Sequence, residues 1–169
     1  MGLDSTFYDD VIAAMKGVFG DDQRRIDHAM AVLDYAEQIG ASIDADSVVV
    51  SAAAILHDIG IKKSEELYGS SSAKYQEIEG PPVAREILER LELSPEKIDH
   101  VCGIIANHHT AKDAEVVETD EFKAIWDGDW LVNLCDVFPD AGKSKLERIV
   151  DEKFRTEKGR QLAKKIYAL

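Results

Sequence analysis

Apolar residues recur at helical spacing along almost the whole chain. In "STFYDDVIAAMKGVFG" and "DDQRRIDHAMAVLDYAEQIG" each periodic stretch opens on Ser or Asp and closes on Gly, which is start and stop chemistry for two helices. The third, in "DADSVVVSAAAILHDIG", is different: from Val48 to Leu56 only Ser51 is polar, so this helix is covered on most sides and sits in the core. Gly60 reads as the residue just past its end. The polar, small segment "KKSEELYGSSSAKYQ" predicts a surface loop with one short helical turn. The prolines of "GPPVAREILERLEL" predict a helix start there, and "SPEKIDHVCGIIANHH" has Ser94 as cap with Pro95 at the first helical position. "TDEFKAIWDGDWLVNLCDVF" is a further helical pattern, interrupted near Gly128, and "KSKLERIVDEKFRTEKGRQLAKKIYAL" adds one or two more. No strand alternation, internal repeat or low-complexity run occurs. The fold expected is all-α and orthogonal, because the helices are uneven in length and one is apolar all round.

At 169 residues the chain predicts one domain over 1–169, long enough to bury roughly two-thirds of its unfolded surface. Cys102 and Cys135 lie far apart without CxxC spacing, which argues against a zinc ribbon or a disulfide framework and fits two reduced core thiols in a cytoplasmic protein. No basic segment followed by an apolar one opens the chain. No apolar run approaches the roughly 20 residues of a membrane span, so no membrane partner is expected. "MGLDST" matches a myristoylation signal only superficially, without polybasic reinforcement.

The net charge of −13 is uneven: Lys143 to Leu169 holds nine Lys or Arg against four Asp or Glu, leaving −18 elsewhere. So acidic a body disfavours nucleic acid as a partner, and the basic tail reads as a solvated face packed on the domain. An acidic enzyme that handles phosphates must bring its own cations, which directs attention to buried ligand-type side chains.

The core helix of Val48–Leu56 ends in adjacent His57 and Asp58. A histidine suits the negative end of a helix dipole, but an aspartate there is badly placed and needs a positive partner. Lys62 or Lys63 is one option and a metal ion the other. His28 lies among Ile26, Ala29, Met30 and Leu33 on an apolar face; His108 and His109 follow the buried "VCGIIAN"; Asp129 sits between Trp126 and Trp130. Each alone has a structural explanation, as a core histidine, a dipole-matched histidine or a turn cap. Together, four of the five histidines and two carboxylates stand at the ends or inner faces of the most buried helices, where unpaired charge is costly. Such a nitrogen and oxygen set suits Fe, Mn, Ni or Zn; His100 is left on a solvated face.

His28 in "RIDHAM", His57-Asp58 in "AAAILHDIG" and Asp129 in "DGDWL" follow the H…HD…D order of the HD-domain superfamily of metal-dependent phosphohydrolases, and "IIANHH" resembles the histidine pair of its two-metal members. The resemblance covers about residues 22–140, with the C-terminal helices of 143–169 packed on that core. It implies an α-helical fold, a divalent metal held by His28, His57, Asp58 and Asp129, and hydrolysis of a phosphate ester, often of a nucleotide. Two-metal members use the HD aspartate as a bridge and take a further histidine from the next helix, where "YQEIEGPP" offers only Gln76 and Glu79. Glu79 reads as a hard oxygen ligand, a general base or a helix-start carboxylate, so a second metal is expected to be weak and to be Mg or Mn. His108 or His109 then serves as second-metal ligand or leaving-group acid, Asp58 carries the metal-linked chemistry, and Lys62 and Arg25 are candidate contacts for a small phosphorylated substrate. Two alternatives are a non-catalytic metal- or nucleotide-binding regulatory module and a di-iron oxygenase. The oligomeric state is open, a homodimer being one option.

Overall fold

The computed structural model describes residues 5–169, so the "MGLDST" match falls largely outside the described residues. Among these the chain is helical without a strand. The elements are α1 (Ser5–Phe19), α2 (Gln23–Ser42), α3 (Ser47–Leu56), α4 (Ile61–Tyr68), α5 (Ala73–Arg90), α6 (Pro95–Ile105), α7 (Ala114–Val117), α8 (Asp120–Val137), α9 (Lys143–Lys153) and α10 (Glu157–Ile166). Side-chain caps set several starts: Asp22 accepts from the Arg25 amide, Asp46 from Val48 and Val49, and Thr119 from Phe122. As its composition requires, α3 is buried along Val48–Leu56 and is packed by α1, α2, α6 and α8. No described helix is long and apolar enough to cross a membrane.

Several expected boundaries are corrected, each by packing. "KKSEELY" is not loop but the eight-residue α4, closed by Gly69 at φ +62°. Pro81 and Pro82 lie inside α5 rather than at its start. Each removes an intrahelical bond, to the carbonyls of Glu77 and Ile78, yet the helix continues because the turn before them is wedged in place. A Cβ on Gly80 would lie 2.7 Å from Ile105 Cγ2, and one on Gly60 would lie 2.5 Å from the Gly80 amide nitrogen. Gly60 therefore answers to space rather than to a left-handed turn; its φ is −77° and it opens α4. Gly40 does not stop α2, which runs on to Ser42. Gly128 does not interrupt α8 either: it lets α8 approach the backbone of α2, where a Cβ would stand 3.2 Å from Val32 O and Ala36 N. Of the two thiols, Cys102 is buried, but Cys135 is exposed and is not a core residue.

The basic C-terminal segment packs on the body through α10, against α8 and α2. Its anchor is Asp127, fully buried on α8, which accepts from Arg155 N at 2.7 Å, Thr156 N at 2.8 Å and Thr156 Oγ1 at 2.6 Å. Gly159 makes room for that carboxylate. Farther along, the Tyr167 hydroxyl donates to the Leu131 carbonyl.

Candidate metal centre

Three segments bring four donor side chains together, and His28, His57 and Asp58 among them form a group that could hold one ion. His28 projects from α2, His57 and Asp58 stand in the turn after α3, and Asp129 projects from α8 beside the close approach at Gly128. His28 Nε2 lies 3.2 Å from His57 Nε2, 3.0 Å from Asp129 Oδ1 and 3.5 Å from Asp58 Oδ2. His57 Nε2 lies 3.4 Å from Asp58 Oδ2 and 3.5 Å from Asp129 Oδ1. Donors bound at about 2.1 Å with tetrahedral or octahedral angles stand roughly 3.0–3.4 Å apart, so His28, His57 and Asp58 are spaced to hold one ion, and Asp129 lies against both histidines.

The protonation pattern points the same way. His57 Nδ1 donates to the Ala54 carbonyl at 2.7 Å, so the ring in its neutral form would present a bare Nε2 to two carboxylates. His108, just past the end of α6, repeats the arrangement: Nδ1 donates to Ile105 O at 2.7 Å, and Nε2 faces Asp58 Oδ1 at 3.3 Å. Acceptors opposed in this way need a cation between them. Burial alone would push His57 down and its carboxylate neighbours up. Asp58 and Asp129 instead raise the His57 pKa well above the usual range, and the histidines hold both carboxyls below theirs. The residues present fit a divalent metal.

Asp58 turns its second oxygen toward the other half of the centre, and Asp58, His108 and His109 form a second group that could hold an ion. Glu79 belongs to neither group. It lies seven residues into α5 rather than at a helix start, and its carboxylate accepts from the Tyr68 hydroxyl at 2.7 Å. Gln76, nearly one turn earlier, faces the site: its Nε2 donates to Ser71 O at 2.6 Å, which leaves Oε1 opposite His109 Nε2 at 3.0 Å. His109 must therefore donate from Nε2. Burial and the neighbouring His108 push its pKa down to about 4, so it is neutral at pH 7.

Neither lysine pairs with Asp58. Lys62 lies 3.6 Å from Asp22, and Lys63 3.6 Å from Glu66. Arg25 lines the cavity in front of the donors, but its guanidinium is held by both oxygens of Glu65, at 2.6 and 3.1 Å, and by Asp22 at 2.9 Å. His100 is half-buried against Thr119 rather than solvated.

Three residues escaped sequence reasoning. Asn133 donates to Asp129 Oδ1 at 2.8 Å and orients it; the spacing of one helical turn could have shown this. Arg24 lines the same cavity of about 580 Å³ and makes no ion pair among the described residues. Glu77, its side chain 1% exposed, holds the turn that carries the histidine pair. It accepts from His109 N at 3.1 Å, Thr110 N at 2.8 Å and Thr110 Oγ1 at 2.8 Å. No local signal marks it, since its partners lie more than thirty residues away.

Burial opposes the Glu77 charge, but these amide and hydroxyl donors prevail and lower its pKa. A depressed pKa gives stability that is present above the unfolded value of about 4.3 and lost as the pH falls through the folded one. Glu77→Gln is expected to cost about 2 kcal/mol at pH 7, read by urea denaturation, and the penalty should shrink below pH about 4. An equal penalty at both pH values would assign it to packing alone.

Residues 25–152 match the family model described as HD domain. A crystal structure of a predicted HD superfamily hydrolase from an uncultured Thermotogales bacterium is similar at 24% sequence identity, with a TM-score of 0.67 over 94% of this chain and 83% of that one. At that identity the likeness concerns the fold. No curated protein matches the chain.

Proposed function

The chain belongs to the HD-domain family of metal-dependent hydrolases, and from that premise we propose that it cleaves phosphate esters of small molecules. One observation carries this reading: the donor cluster opens onto the cavity of about 580 Å³ that Arg24 and Arg25 also line. In a chain of net charge −13, the guanidinium of Arg24, which makes no ion pair among the described residues, stands at a cavity shared with a metal-type donor set and fits an anionic group, whereas Arg25 is already paired with Glu65 and Asp22. A divalent metal held there supplies Lewis-acid chemistry and acidifies water. The chain's residues do the rest. His57 and Asp129 are locked in orientation by Ala54 O and the Asn133 amide, so the donors need no rearrangement. Arg24 supplies positive charge that holds the phosphate, water attacks phosphorus in line, and the P–O bond to the leaving alcohol breaks. Fe, Mn, Ni and Zn all suit the donor set.

Protein purified without chelator should carry metal, hydrolyse members of a phosphomonoester and phosphodiester panel, lose that activity to chelator and regain it with added manganese. Arg24→Glu should raise KM about tenfold with kcat little changed, as expected for a charge that binds substrate and transition state alike. Failure of the metal-loaded protein to turn over any phosphate ester would remove the ester assignment.

A further inference from the structure

A second cavity, of about 190 Å³, is walled by Trp126, Trp130 and Val137 together with Asp129, Asn133, His108 and His109. Its geometry follows from α8. Trp126, Trp130 and Val137 recur at i, i+4 and i+11 and form an apolar stripe beside that of Asp129 and Asn133, and Asn133 lines both cavities. The metal-type cluster thus stands between a charged chamber and an aromatic one.

Both indoles are fixed before anything binds. Trp126 Nε1 donates to Lys153 O at 2.9 Å with the Arg155 guanidinium 4.7 Å from its ring centre, and Trp130 lies parallel to Phe138, 11° apart in plane. Val137, 52% exposed, also lines the cavity. A volume of about 190 Å³ is comparable with an apolar cavity of about 150 Å³ that takes up one benzene.

We propose that this cavity receives an aromatic ring of the leaving group, joined directly or through one carbon to the ester oxygen, so that aryl and benzyl phosphates are preferred to alkyl phosphates. The inference rests on the phosphate-ester reading for the position of the ring relative to the reacting phosphorus. Because Asp129 and His108 wall both the centre and the cavity, a ring there is held against the bond that breaks. Flat, rigid indoles favour a ring over an alkyl chain of equal area.

The test uses the two tryptophans themselves, the only ones in the chain, as fluorescent reporters. Phenylphosphonate and methylphosphonate share one non-hydrolysable anionic head and differ only in the ring. Bound to manganese-loaded protein, phenylphosphonate should perturb the tryptophan emission and bind about tenfold or more tighter, the worth of stacking one ring on an aromatic side chain. Trp130→Ala, and Val137→Asp at the exposed rim where folding is not at stake, should bring the two affinities together. Equal affinities in the unaltered protein, or a preference that survives both substitutions, would overturn the proposal. If neither phosphonate binds while benzyl alcohol still quenches the tryptophans in a Val137-dependent way, the phosphate reading fails and the ring site stands. If methylphosphonate alone binds, the reverse holds.

Discussion

Asp58→Ala is expected to abolish metal binding and the proposed hydrolysis together and to leave the helices in place. Among the described residues Asp58 is the single side chain whose two oxygens face both donor groups, Oδ2 toward His28 and His57 and Oδ1 toward His108. Groups that merely orient metal ligands account for roughly 10–100-fold in affinity, so loss of a bridging ligand should exceed about 100-fold. The fold should tolerate the change, because an anion just past the end of α3 opposes the helix dipole. Metal content by mass spectrometry, turnover and far-ultraviolet circular dichroism on the same preparation read the three expectations separately. Full metal content in the variant would place the ion elsewhere, and collapse of the helical signal would make Asp58 a structural residue first.

The second large effect concerns Gln76. Its amide is oriented by Ser71 O, and through Oε1 it holds His109 as the Nε2–H tautomer. The Nε2 lone pair of His109 is thereby withheld from a metal, while Asp58 Oδ1 and His108 Nε2 remain available. The expected consequence is one tight metal per chain and a second of roughly millimolar affinity for Mg or Mn. Gln76→His replaces the clamp with a nitrogen donor and frees His109, and the second equivalent should tighten by about 100-fold or more. Calorimetric titration of chelator-stripped protein measures both steps. Two tightly held ions in the unaltered protein would refute the role given to Gln76, and so would a variant whose second step is unchanged.

The helices and the ligand set differ in how they could be read from the chain. Helical periodicity and caps located α1, α3 and α6 because those signals are local. Where two backbones touch, glycine and proline no longer mean what they mean in isolation. Gly128 marks the approach of α8 to α2, and Gly60 the approach of α4 to α5, contacts made by residues far apart in sequence. His28, His57, Asp58 and Asp129 stood out because ionisable groups in apolar surroundings require a partner. The choice between Gln76 and Glu79 was beyond such reasoning. Which of them faces the centre depends on where α5 begins, and its start at Ala73, ahead of both prolines, turns Glu79 toward Tyr68.

The buried Asp127 has a consequence for how the molecule comes apart. Asp127 and Asp129 sit on the same two turns of α8, one tying down the backbone of Arg155 and Thr156, the other facing the ligand cluster. Any opening that frees α10 strands a carboxylate whose pKa burial already raises, so such opening is suppressed until α8 loosens as well. Amide protons of α8 and α10 are accordingly expected to exchange as one cooperative unit, and a ligand that tightens the Asp129 side of α8 should slow exchange at the far C-terminal helix without touching it.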